Sequence, residues 1–173
     1  MPYLDKKEFA NYLLGWDEKH TDYLKHIYSE NINKQNFIKL VTDLFLEDKG
    51  LELSTSWLIK YHFDMKETLK NEDIKSVLLN LKNLTHWGSE LHILQIIPKI
   101  KLSKDLAELL EFEIHNKLKS ENKFVRAAAY EAYSEIVELI PELENEFRTV
   151  CFDALKRESA SVKVKIKRVL NRI

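Results

Sequence analysis

Apolar residues return at helical spacing along most of this chain, and short polar stretches interrupt them at regular intervals. From Asn71 onward the alternation is plain. Ile74, Val77, Leu78, Leu81 and Leu84 recur every three or four residues, the signature of a helix with one buried stripe. Asn71 reads as its N-cap, with Glu72 and Asp73 placing negative charge in the first turn, where the helix dipole favours it. A turn over Thr85 to Ser89 leads to a second helix carrying Leu91, Leu94 and Ile97, with Pro98 near its end. The plan then repeats. Ser103 caps and Leu106, Leu109, Leu110, Ile114 and Leu118 form the stripe. A turn from Ser120 to Asn122 precedes a helix with Val125, Ala129, Ala132, Tyr133, Ile136 and Ile140 on one face. Pro141 opens a helix with Phe147, Val150, Cys151, Ala154 and Leu155, and Ser159 to Ser161 turn the chain into a last helix burying Val162, Ile166, Val169, Leu170 and Ile173.

Four second helices align on Trp57, Leu91, Val125 and Val162, spaced 34, 34 and 37 residues apart. Leu84, Leu118 and Leu155 each stand seven residues before the next of these, which predicts turns of one length in three successive hairpins. Independent helices have no reason to keep that register, whereas units stacked on one another do. Upstream, Phe37, Leu40, Val41, Leu44 and Phe45 make a strong amphipathic helix, Gly50 is a helix terminator or turn residue, and the run from Leu53 to Phe63 supplies its partner. Two shorter helices, around Tyr3–Leu14 and His20–Ser29, are expected to form an atypical N-terminal cap. The expected organisation is one all-α domain over 1–173, about ten helices in five antiparallel hairpins. Residues 1–31 are its cap and 33–173 its stacked hairpins.

Residues 54–173 resemble divergent HEAT repeats, helical hairpins of about forty residues. The resemblance rests on the starts of the second helices, above all Phe124-Val125-Arg126-Ala127-Ala128-Ala129, and on Val162-Lys163. Ser120 and Arg157 stand where that family usually has Asp. The resemblance implies a right-handed α-α superhelix whose second helices line a concave side, and a role in binding other macromolecules.

Composition fits this picture. Three glycines and three prolines in 173 residues leave few positions for hairpin turns, against an all-β fold. A net charge of −1 gives no global attraction to nucleic acid or membrane. The single Cys151 excludes an internal disulfide framework and reads as a small buried hydrophobe in a reducing compartment. The first residues carry acidic side chains and no apolar h-region, so no signal peptide is expected. No apolar run approaches the roughly 20 residues that span a bilayer. The expectation is a cytoplasmic protein that does not engage membranes.

Catalytic and metal chemistry find little footing. His20 and His26, like His86 and His92, are six apart, which puts neither pair on one helical face. Glu111 and His115 fit a surface ion pair at i, i+4. The isolated Gly15, Gly50 and Gly88 form no phosphate-cradling loop, so no cofactor or metal is expected. The one enzyme alternative is a DNA glycosylase acting on alkylated purines, a class built in part from HEAT-like repeats, to which the segment around Arg126 is similar. Tyr61 and Leu91 stand where such an enzyme needs a carboxylate after Trp57 or Trp87.

Binding is therefore the leading expectation. Positions one and five after each aligning residue fall beside the buried stripe: Leu58 and His62, His92 and Ile96, Arg126 and Tyr130, Lys163 and Lys167. If second helices line a concave face, these form a ladder across it, and Arg126, Tyr130, Lys163, Lys167, His92 and His62 are the nominated partner contacts. Residues 101–144 hold 10 acidic and 6 basic side chains, net −4, while 145–173 hold 3 and 8, net +5. The basic C-terminal helix either completes the array as a solvated cap or grips an acidic partner, a protein segment first and nucleic acid second. The expected function is a non-catalytic scaffold for a protein partner.

Overall fold

A computed structural model describes residues 3–173. Among these, the chain forms ten α-helices joined by turns and short 3-10 segments, with no strand. The fold is all-α. Contacts divide it into two compact units, one ending at His92 and the other beginning at Ile93.

The first unit contains α1 (Lys6–Leu14), α2 (Thr21–Asn31), α3 (Phe37–Glu47), α4 (Glu52–Asp64), α5 (Asn71–Leu79) and the start of α6 (Trp87–Ile96). The Asp5 side chain caps α1 by accepting from the Glu8 amide at 2.9 Å. The inner stripes interlock through aromatic edges: Phe9 and Tyr28 each meet Phe37 edge-to-face, at centroid distances of 5.8 and 5.6 Å. Leu24, Val41, Leu58, Ile59 and Val77 are fully buried around them. Such pairs stabilise beyond their area alone by about 1 kcal/mol each.

In the second unit, α7 (Lys104–Lys117), α8 (Lys123–Leu139), α9 (Glu144–Arg157) and α10 (Ala160–Leu170) follow the remainder of α6. Here α8 packs on both α7 and α10, and α9 packs on α10. Its core is Ala107, Leu110, Ile114, Val125, Ala129, Ala132, Ile136, Phe147, Cys151, Ala154, Val162 and Ile166. The small Ala128, Ala129 and Ala132 face the buried side of α8, where a missing side chain lets a neighbouring helix approach.

Several local expectations are corrected. Lys70, not Asn71, is the N-cap of α5 and caps it with no side-chain bond. Of the two roles read for Gly50, helix terminator or turn residue, it takes the second, inside a 3-10 turn, Lys49–Leu51, held by the Asp48 carboxylate. Pro141 opens a 3-10 turn, and α9 begins three residues later. The turns into α6, α8 and α10 differ in length: Leu84–His86, Leu118–Asn122 and Glu158–Ser159. The aligning residues keep a spacing of 34 to 37, and the helix ends slide around it as local capping dictates. Glu111 does not pair with His115. It accepts from the Tyr133 hydroxyl at 2.6 Å, while His115 lies against the Tyr133 ring.

The repeat is written into the hydrogen bonds. Tyr28 Oη meets His62 Nδ1, 34 residues on, at 2.9 Å. The Glu52 carboxylate accepts from the amides of Thr85 and His86, 33 and 34 residues on. Ser56 meets His92, 36 residues on, at 3.0 Å. Arg126 grips Glu158, 32 residues on, and Lys165 grips Glu131 from 34 residues away. Each bond joins one hairpin to the next at one repeat length. Gly88 serves the same contact, since a Cβ there would come within 2.7 Å of Leu53 Cδ1. Within the first unit Tyr23 lies 34 residues before Trp57, and α2 packs on α4.

Candidate functional site

The positions nominated as a partner-facing ladder turn out to be joints between hairpins. Tyr130 is 1% exposed and packs beside Phe147 of α9, so it cannot meet a partner. Its burial pushes the phenol up to about 12. His62 is likewise buried, between the Tyr28 hydroxyl and the Thr68 carbonyl. Desolvation lowers its pKa, keeping the ring neutral. The Nδ1 of His92 meets Ser56, and burial, followed by the nearby Lys60 charge, holds the ring down to about 3. Leu58 and Ile96 are fully buried. The physical reason is common to all five. One and five residues after the aligning position, a second helix turns toward its neighbouring hairpins, not toward open solvent.

Arg126 is a joint too. Its Nε and Nη2 donate to the two Glu158 oxygens at 2.6 and 2.8 Å, and its Nη1 donates to the carbonyls of Ser120 and Glu121 at 2.7 and 2.9 Å. The bidentate pair lowers the Glu158 pKa and raises that of Arg126. Its donors are committed within the fold, so it is withdrawn as a partner contact.

Only α10 leaves these positions open. Lys163 is half-buried and Lys167 exposed, and neither makes an ion pair among the described residues. Val164, 48% exposed, lies in the same outward arc, between Lys167 and Arg168. Arg168 extends that arc, which spans about 140° at 100° per residue. The remaining cations of the helix are neutralised from α8. Lys165 pairs with Glu131, and Arg172 pairs with Glu135 and Glu138, all at 2.8 Å. The basic C-terminal helix thus has a paired side and an unpaired side. The sequence pattern missed this division, because i, i+4 arithmetic within one helix does not reveal carboxylates supplied by another. It also missed Arg168 as a companion of Lys163 and Lys167. The outward position of Val164, legible on a helical wheel, was the signal for that arc.

Among the described residues no group of three or more His, Cys, Asp or Glu side chains could hold a metal ion, and no helix is long and apolar enough to cross a membrane. Cys151 is fully buried, and desolvation raises its thiol to about 12, far from the thiolate that nucleophilic chemistry requires. Comparison with known families, curated proteins and solved structures found no match to this chain.

Proposed function

We propose that this chain is a non-catalytic binding module of the HEAT-like solenoid class, engaging an acidic protein surface through the outward face of α10. The carrying observation is the unpaired set Lys163, Lys167 and Arg168 around the exposed Val164. A helix that needed only solubility would not keep an apolar side chain in its most solvated arc. A cationic rim around an apolar centre suits a protein partner with carboxylates around a small apolar patch. The repeat-length hydrogen bonds support the solenoid reading, and the inert, buried Cys151 suits a cytoplasmic setting.

The test uses two probes, a glutamate-rich amphipathic helical peptide and a DNA duplex, titrated by fluorescence anisotropy at two salt concentrations. The peptide should bind with a shallow salt dependence. Lys163→Glu with Lys167→Glu should weaken it by about tenfold or more and leave the circular-dichroism melt within a few degrees of the parent. Preferential binding of the duplex, with log K falling by about 0.9 per phosphate contact against log salt, would turn the reading to nucleic acid. Loss of the fold in the double variant would mean these lysines are structural.

A further inference from the structure

The outward face of α10 has a counterpart at the other terminal hairpin. In the α8–α10 joint, Lys165, three residues after Val162, turns back toward the preceding second helix and its Glu131. The residue in phase with Lys165 on α2 is His26, three after Tyr23, and Glu30 follows one turn on. This side of α2 carries the exposed pair His26 and Glu30. In this chain it is open, because Leu24 and Tyr28 point the other way, into the joint with α3 and α4. Between α1 and α2 lies a cavity of about 240 Å³, lined among others by Tyr3, Tyr12, Tyr23, Asp5, Glu8 and Glu30. Tyr3 and Tyr12 are exposed, at 75% and 58%. The cleft is aromatic and carries three carboxylates beside one lysine, Lys34, and His26, a net acidic lining that attracts ammonium and guanidinium groups through ring faces and charge together.

We propose that the outward face of α10 in one molecule docks on the α1–α2 cleft of a second copy, joining molecules head to tail. This rests on reading α10 as a docking face and names its occupant. Three features favour a second copy. The two faces carry opposite charge, Lys163, Lys167 and Arg168 against Asp5, Glu8 and Glu30. Each leaves apolar surface exposed beside its charges, Val164 on α10 and Tyr3 and Tyr12 at the cleft. The joint also has a working precedent within the chain, where Arg126 and Lys165 are both met by carboxylates of an adjoining hairpin. The exposed Val164 would meet the tyrosine walls. Because the two faces differ, a joined pair still has one free face of each kind, and association continues until it closes or stops for geometric reasons.

Sedimentation velocity from about 10 µM to about 1 mM, at low and high salt, tests this. The parent protein should sediment faster as concentration rises, and less so at high salt. Lys163→Ser with Lys167→Ser removes one face, and Glu8→Gln with Glu30→Gln removes the other. Each double variant alone should associate about tenfold or more weakly. Mixed in equal amounts, they should form a dimer and nothing larger, since one intact joint remains. A parent protein that stays monomeric throughout, or an unaltered Glu8→Gln, Glu30→Gln variant, would overturn the proposal. If the parent is monomeric yet α10 still binds the glutamate-rich peptide in a Lys163- and Lys167-dependent way, the docking face stands and the second copy is excluded as its occupant. If neither occurs, both readings fall.

Discussion

Ser89 carries a fully buried hydroxyl with no hydrogen-bond partner among the described residues. A serine inside a helix ordinarily returns its hydroxyl to a carbonyl one turn back, as Thr42, Thr55 and Ser76 do. An unsatisfied buried hydroxyl costs about 1 kcal/mol, and Ala also has the better helix propensity. Ser89→Ala should therefore stabilise the chain by about 1 kcal/mol, read as a higher urea midpoint. His92 acts in the opposite sense. Its folded pKa of about 3 lies below the ordinary 6.5, so the unfolded chain takes up the proton first. The contribution is complete above about pH 6.5 and is lost as pH falls toward 3. Between pH 7 and pH 5 this residue alone should remove about 2 kcal/mol of stability. His62, shifted in the same direction, adds to the trend. Urea midpoints at the two pH values should separate clearly for the parent and less for His92→Gln.

At the scale of helices, the joint between α8 and the α9–α10 hairpin turns on one bidentate pair. The Arg126 side chain is 21% exposed and that of Glu158 7%, so solvent screens the pair only in part. Removing either partner leaves the other charge stranded, at a cost of about 2–3 kcal/mol. Arg126→Ala and Glu158→Ala should each destabilise by that amount, and the double variant by much less than their sum, as denaturant titrations in a double-mutant cycle would show. Most helices were legible in the sequence, because a 3.6-residue apolar stripe is a local signal and the spacing of the aligning residues stays at 34 to 37 while the turns change length. Ser103, as read from the sequence, caps α7, accepting from the Leu106 amide at 3.3 Å. Lys70 was not legible as a cap, since nothing in its chemistry marks it out. The contact ladder failed for a geometric reason. A helical wheel gives the angle of Tyr130 or His62 to its own stripe but not which flank an adjoining hairpin covers, and here that hairpin supplies Phe147 or Tyr28. At the same wheel angle on α10, Lys163 is half-buried and Lys167 exposed. Charge pairing was equally hidden, because Glu131, Glu135 and Glu138 reach α10 from about one repeat away.

Over the whole chain, a net charge of −1 conceals a strong internal polarity, with net +5 over residues 145–173. Pairing from α8 leaves Lys163, Lys167 and Arg168 as the α10 cations without an ion pair among the described residues, so the electrostatic effects of this helix should be short in range and concentrated on one side of it. The same pattern of pairing bears on how the chain comes together. The bond from Lys6 to Glu47 reaches 41 residues, and the joints between hairpins close at 32 to 38. Closing loops of this size costs little more entropy than closing much shorter ones. During synthesis, each joint becomes able to form as soon as one further pair of helices has left the ribosome, and none of these bonds has to wait for the whole polypeptide. Growth from the amino terminus can thus proceed as a succession of completed steps, each sheltering the apolar surface exposed by the last.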